Sequence, residues 1–220
     1  MDKSSFTFKI AVDGSSASGK TTGSKYLSKK FKLKFLSSGK LYRYLALKII
    51  KNKYKYNYDF LKVVSKNITL NKLDNKEIYN LEVTNLSSII AKKKYVRKLL
   101  KKFQNNFIKQ NKFLIIEGRD IASKILPSAD LKLFFSCSLN EKAKRRLKEF
   151  KKIDKNYSIK NVKKALKQRD FMDKNRKESP LLFVKGAVLV DTTNLNIKEM
   201  QTKLNKLVTK GIKNKKYGNI

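Results

Sequence analysis

A chain of 220 residues with 40% hydrophobic side chains has material for one sizeable core and too little length for two full enzymatic domains. Lys and Arg number 54 against 17 acidic residues, a formal net charge of +37, yet only seven of the 54 are arginine and lysine is spread over nearly every segment, so the charge reads as a solvated surface of A/T-biased composition rather than a nucleic-acid stripe. With no histidine and the single cysteine Cys137, disulfide frameworks, Cys/His zinc sites and imidazole-based mechanisms are excluded.

Residues 6–13, FTFKIAVD, predict a short apolar strand running into GSSASGKT, and the spacing of Tyr26, Leu27 and Phe31 predicts a helix after it. Residues 33–37 predict a brief second strand, followed by a Ser/Ser/Gly turn and a helix whose apolar face carries Leu41, Leu45 and Ile49. The stretch 58–94 breaks the pattern and reads as an insert: one short helix, two short extended pieces, then a new helix start. From about Asn85 one long helical pattern runs through Val96, Leu99, Leu100, Phe103 and Phe107. The apolar runs FLIIEG (113–118) and LKLFFSCS (131–138) suit buried parallel strands, with Cys137 read as a core residue. NEKAKRRLKEFKKIDKN predicts a basic helix giving way to a polar turn, and YSIKNVKKALKQRDFMDKNR predicts another helix. AVLVDTT (187–193) predicts a fifth strand, and the closing helix is expected to fray over GIKNKKYGNI. Strands alternating with helices argue a parallel α/β sheet with crossover helices on both faces. The start MDKSSFTFKIAV lacks signal-peptide architecture, and no apolar run approaches the roughly 20 residues that cross a bilayer, so the expectation is a soluble cytoplasmic protein with no membrane partner.

The strongest motif lies between the first strand and first helix, where Gly14–Thr21 match G-x-x-x-x-G-K-[ST] in full. Such a loop wraps phosphates with backbone N–H groups at a helix N-terminus, sends its lysine to the β and γ phosphates and offers its hydroxyl to Mg²⁺. The ATP-binding candidates are therefore Gly14, Ser15, Ser16, Ala17, Ser18, Gly19, Lys20, Thr21 and Thr22, with Thr21 as the magnesium contact and Mg²⁺ the expected cofactor. The loop establishes a nucleoside triphosphate and leaves the acceptor open.

Where lysine fills every position at which a point charge suffices, the seven arginines mark places that need a planar fork for phosphate or carboxylate. They fall on SSGKLYR (37–43), VRKLLKKFQ (96–104), EGRD (117–120), RDFMDKNR (169–176) and the basic pair Arg145 and Arg146. Together with the phosphate loop and the DTT after the last strand, these pieces resemble bacterial cytidylate kinase, a P-loop nucleoside monophosphate kinase family, over essentially the whole chain. The resemblance implies a P-loop NTPase fold with a central five-stranded parallel sheet, a small NMP-binding insert (58–106) and a helical lid (145–165) on a core of 1–57, 107–144 and 166–220. It implies an ATP-dependent (d)CMP kinase, and the chain is expected to be a monomer. It places the CMP phosphate on Arg43, Arg119 and Arg176, the ribose on Arg169 and Asp173, and the cytosine on Ser88, Arg97 and Asp120, with Ser38 close by. Lys20, Arg119, Arg145 and Arg146 are the implied catalytic cations. A carboxylate for the exocyclic amine and an arginine for the carbonyl and ring nitrogen are what a cytosine edge asks for.

This chain departs from the family pattern at Ser37, where an aspartate is usual, at Glu117, where Asp is common, and at Met172 and Lys174 on the charged helix. The segment 65–83 is also much shorter than the family's. Two other readings stand beside this one: a P-loop kinase for UMP or another small acceptor, and a basic RNA-binding protein that keeps a nucleotide loop.

Overall fold

Residues 6–150 and 158–218 are described in the computed structural model. They form two compact units, Met1–Phe35 with Phe113–Ile220 and Leu36–Lys112.

At the centre of the first unit lies β1 (Phe8–Gly14), an apolar strand buried along nearly its whole length. It pairs in parallel with β3 (Phe113–Glu117) on one side and β4 (Leu131–Ser136) on the other, and β4 pairs in parallel with β5 (Ala187–Asp191). With β2 (Lys34–Ser37) at the far edge, the five-stranded order is β2-β3-β1-β4-β5. The chain thus leaves β1 between neighbours reached by crossovers in opposite directions, and the crevice beyond the carboxyl ends of such strands is where ligands bind in open α/β sheets. One face is closed by Leu27 of α1 (Lys20–Lys30) and by Met200, Leu204 and Val208 of α8 (Ile197–Tyr217), packed with Phe8, Ile10, Val12, Leu133 and Phe135. A separate pair, α6 (Leu139–Phe150) and α7 (Ile159–Asn175), is sealed by Ala143, Val162 and Leu166. Residues 151–157 of the expected 145–165 lid lie outside the described residues.

The second unit is helical: α2 (Ser38–Lys51), α3 (Tyr58–Lys66), α4 (Leu81–Ile90) and α5 (Lys94–Gln110), with α4 along α2 and α3 against α5. Asparagine, plentiful in this sequence, starts the two middle helices. Asn57 Oδ1 accepts from Phe60 N–H at 2.9 Å and Asn80 Oδ1 from Val83 N–H at 2.7 Å.

Three expectations change. The two pieces expected to be extended within the 58–94 insert fold instead as 3₁₀ turns, Asn71–Asp74 and Lys76–Tyr79, because Leu73 and Ile78 bury there and Asn75 caps the second turn. The helical pattern from Asn85 is two helices, broken at 91–93. Ala91 O, left over at the end of α4, accepts from Arg97 Nη1 at 3.0 Å, and Lys93 is extended ahead of α5. The closing helix does not fray at Gly211 but runs to Tyr217, where Lys215 Nζ pairs with Asp130 at 2.6 Å and Lys215 and Lys216 lie over the Phe6 ring.

Candidate active site

The phosphate loop ends on Gly19 at φ +83°, a left-handed turn that glycine adopts without strain, and α1 begins directly after it with no side-chain cap. The first N–H groups of α1 therefore face the loop's hollow, the geometry that holds phosphate. The loop is held from within by Ser18 Oγ, donating to Ser15 O at 2.9 Å, and by Lys20 Nζ, donating to the same carbonyl at 3.0 Å. Lys20 is buried, and burial pushes its ammonium down to about 7, with Arg119 adding to the effect and Glu117 opposing it.

Beside the loop, at the end of β3, the Thr21 hydroxyl lies 2.8 Å and 2.9 Å from the two oxygens of the buried Glu117. A hydroxyl and a carboxylate in contact are the hard oxygen donors magnesium takes, so the residues present fit that ion. Among the described residues no cluster of three or more Asp, Glu, Cys or His could hold a metal alone.

The chain leaves β3 through Gly118, whose N–H donates to Val12 O at 2.8 Å. Arg119 then stands beside the loop: Nη2 donates to Ser16 Oγ at 3.0 Å and Nε to Asp173 Oδ2 at 2.7 Å. Burial would raise the Asp173 carboxyl, but the Arg119 guanidinium, assisted by Arg169 and Arg176, holds it below its ordinary value. Arg176 lies 3.6 Å from Asp173 and 3.8 Å from Asp120 in ion-pair geometry. The first unit thus gathers Arg119, Asp120, Asp173 and Arg176 beside the phosphate loop, and Arg169 adds its charge to Asp173.

The remaining acceptor candidates belong to the second unit. Ser38 Oγ accepts from Gln104 Nε2 at 2.8 Å, and Ser88 Oγ donates to Thr84 O at 3.2 Å. The Arg43 guanidinium lies 5.3 Å from the Tyr79 ring centroid, and that of Arg97 lies 5.6 Å from the Tyr42 ring, so each arginine stands over an aromatic face.

Arg145 and Arg146 share α6 and diverge. Arg145 donates to Thr192 Oγ1 (3.0 Å), Thr192 O (2.7 Å) and Glu141 (3.1 Å), while Arg146 pairs with Glu149 at 2.8 Å. Thr192 Oγ1 in turn donates to Ser18 O at 3.0 Å, so Arg145 reaches the phosphate loop through the turn after β5.

Sequence reasoning missed three buried groups here. Asp13 accepts the N–H groups of Ile121 and Ala122, both at 2.8 Å, tying β1 to the turn after Asp120; burial lifts its carboxyl to about 6. Lys142 of α6 and Asp170 of α7 meet at 2.5 Å, and Asp170 also accepts Ser16 N–H at 3.0 Å. Asp170 could have been noticed as one of only 17 acidic residues, next to Arg169. Lys142 could not, among so many lysines.

A family model described as cytidylate kinase matches residues 10–210. Among curated proteins, the cytidylate kinase of Phytoplasma mali is 32% identical over 218 residues, covering 91% of this chain and 94% of that protein. The cytidylate kinase of Fusobacterium nucleatum is 35% identical over 216 residues, covering 91% and 97%. Among solved structures, a gluconokinase from Sinorhizobium meliloti superimposes with a TM-score of 0.50 at 13% identity, over 98% of this chain and 99% of that one. This last likeness concerns the fold alone.

Proposed function

The chain belongs to the cytidylate kinase family, and on that premise we propose that it transfers the γ-phosphate of ATP to CMP or dCMP, giving CDP or dCDP. The observation that carries this reading is the pairing, within one unit, of a complete phosphate loop with an arginine and carboxylate cluster bonded to it through Ser16.

In this reading ATP lies along the loop Gly14–Thr22, its phosphates on the N–H groups at the start of α1 and on Lys20, while the Ser16 N–H is taken by Asp170. Thr21 and Glu117 hold the magnesium ion, which when bound neutralises phosphate charge. Arg119 and Arg176 hold the CMP phosphate, a role for which the family resemblance also names Arg43. Asp173, kept ionised by Arg119, accepts the ribose hydroxyls with Arg169 beside it. For the cytosine edge the family resemblance names Asp120, Arg97 and Ser88, and with them Ser38. Phosphoryl transfer needs alignment of donor and acceptor oxygens and stabilisation of the moving charge, and lysine and arginine supply both without histidine. Lys20 and Arg119 lie where that charge passes. Arg145 acts through the Thr192 turn on the loop, Arg146 supplies a second cation from the same helix, and transfer requires that water be kept out as a competing acceptor. With this goes a cytoplasmic monomer, since both nucleotides are small soluble anions and one chain carries every group named. Among the described residues no helix is long and apolar enough to cross a membrane.

The test is an ATP-consumption assay with CMP, dCMP, UMP and AMP as separate acceptors at moderate salt. Rapid turnover with CMP and dCMP and little with AMP is the expected result, and absence of acceptor-dependent turnover removes the reading.

A further inference from the structure

Ser16 is linked through two different atoms to residues three apart on one helix, directly to Asp170 and by way of Arg119 to Asp173. Its N–H donates to Asp170 Oδ1 at 3.0 Å, and its Oγ accepts from Arg119 Nη2 at 3.0 Å, whose Nε is bonded to Asp173 Oδ2 at 2.7 Å. Positions i and i+3 share a helix face, so the contacts close a ring: loop, Asp170, one turn of α7, Asp173, Arg119 and back to the loop. All four residues are largely buried, Ser16 at 1% exposure. From α6, Lys142 fixes Asp170 at 2.5 Å and approaches Ser15 Oγ at 3.4 Å, so the carboxylate aimed at the loop is charge-matched and cannot swing away.

The ring does not serve phosphate binding as such. An internal carboxylate takes the Ser16 N–H, which is thereby unavailable to an anion, and the Ser16 hydroxyl is spent on an arginine. What the ring does is join the donor loop rigidly to Arg119 and Asp173, two acceptor-side groups. A shift of the loop on taking up triphosphate must carry both with it, and ordering either end lowers the cost of ordering the other.

We propose that Ser16 and Asp170, with Lys142 behind them, are positioning residues that make donor and acceptor binding cooperative. This rests on the assignment of ATP and CMP to the two sides of the site. Because coupling is reciprocal, saturating the loop tightens CMP by the factor by which CMP tightens the donor.

The experiment measures CMP affinity by calorimetry with and without a saturating non-hydrolysable ATP analogue and Mg²⁺, in the unaltered protein, in Ser16→Ala and in Asp170→Asn. Ser16→Ala removes only the acceptor for Arg119. Asp170→Asn keeps an acceptor for the Ser16 N–H but loses the charge facing Lys142, and it decides alone if the Ser16 variant does not fold. The unaltered protein is expected to bind CMP at least about fivefold tighter with the analogue present, and both variants to bring that ratio close to one. Saturation ensures that weaker donor binding alone does not move the ratio, which a merely structural role would leave intact. A variant ratio equal to that of the unaltered protein overturns the proposal, as does a ratio of one in the unaltered protein. CMP-dependent turnover in the unaltered protein is read separately, so failure of the coupling is distinguishable from failure of the substrate assignment.

Discussion

The Thr21 hydroxyl sits 2.8 Å and 2.9 Å from the two carboxylate oxygens of Glu117, joining the first turn of α1 to the end of β3. The two methylenes of the Glu117 side chain deliver both of its oxygens to the threonine. If this pair holds the nucleotide's magnesium, Glu117→Gln keeps the shape and removes the charge. The expected result is a kcat lower by about 10²-fold and a higher Mg²⁺ concentration for half-maximal rate. Initial rates over a magnesium titration check this, and an unchanged magnesium requirement would assign Glu117 to scaffolding alone.

Lys20 carries a sharper pH prediction. Burial, then Arg119, holds its ammonium down at about 7, so without nucleotide at pH 8 most molecules carry Lys20 neutral. Triphosphate beside it favours the charged form, so donor binding at pH 8 takes up a fraction of a proton, and the uptake vanishes toward pH 6, where Lys20 is already charged. Calorimetry of ATP-analogue binding in two buffers of different ionisation heat measures this directly. Lys20→Ala is expected to lose both the uptake and at least about 10³-fold in turnover, and near-normal kcat in that variant would remove Lys20 from the mechanism.

The parts of this site that local sequence pattern could reveal are those whose chemistry is local. The phosphate loop is one contiguous motif between a strand and a helix, and Arg119, Asp120, Asp173 and Arg176 lie in two short segments. The break at 91–93 is hidden because neither glycine nor proline marks it; it is stabilised by Arg97 reaching back to Ala91 O, a contact no periodicity encodes. The 3₁₀ turns within 67–79 were hidden for a related reason, since isolated Leu73 and Ile78 give neither a period of two nor one of 3.6. The Lys142 and Asp170 pair spans 28 residues and the Asp170 contact to Ser16 spans 154, so only the tertiary fold brings them together.

Asp173 predicts a pH dependence of stability. Its folded-state value lies below the ordinary one of 3.8: burial opposes ionisation, and Arg119, with Arg169 and Arg176, more than compensates. A depressed carboxylate contributes stability that is present above the unfolded value and is lost as pH falls through the folded one. Asp173→Asn is therefore expected to unfold at lower temperature than the unaltered protein at pH 7, with the difference shrinking below about pH 4. Thermal melts at pH 7, 5 and 3 check it, and a difference constant across that range would show that the charge is not what matters.

Two glycines separate close approach from mere composition. Gly14, at φ +150° and opposite Phe135 in the β1 and β4 register, would place a Cβ 2.3 Å from Phe135 O and 2.9 Å from Phe135 Cβ, and neither the strand backbone nor that side chain's root can yield cheaply. Gly39 lies in the first turn of α2, and a Cβ there meets nothing within 4 Å. Gly14→Ala is expected to cost about 1–3 kcal/mol or more through overpacking, whereas Gly39→Ala gains roughly 0.5–1 kcal/mol from the lower backbone entropy of the unfolded chain. Urea unfolding of the two variants in parallel decides it. Equal stability of Gly14→Ala and the unaltered protein would mean that β1 and β4 can separate at the mouth of the phosphate loop, and the loop's rigid seating, on which its phosphate geometry depends, would have to be sought elsewhere.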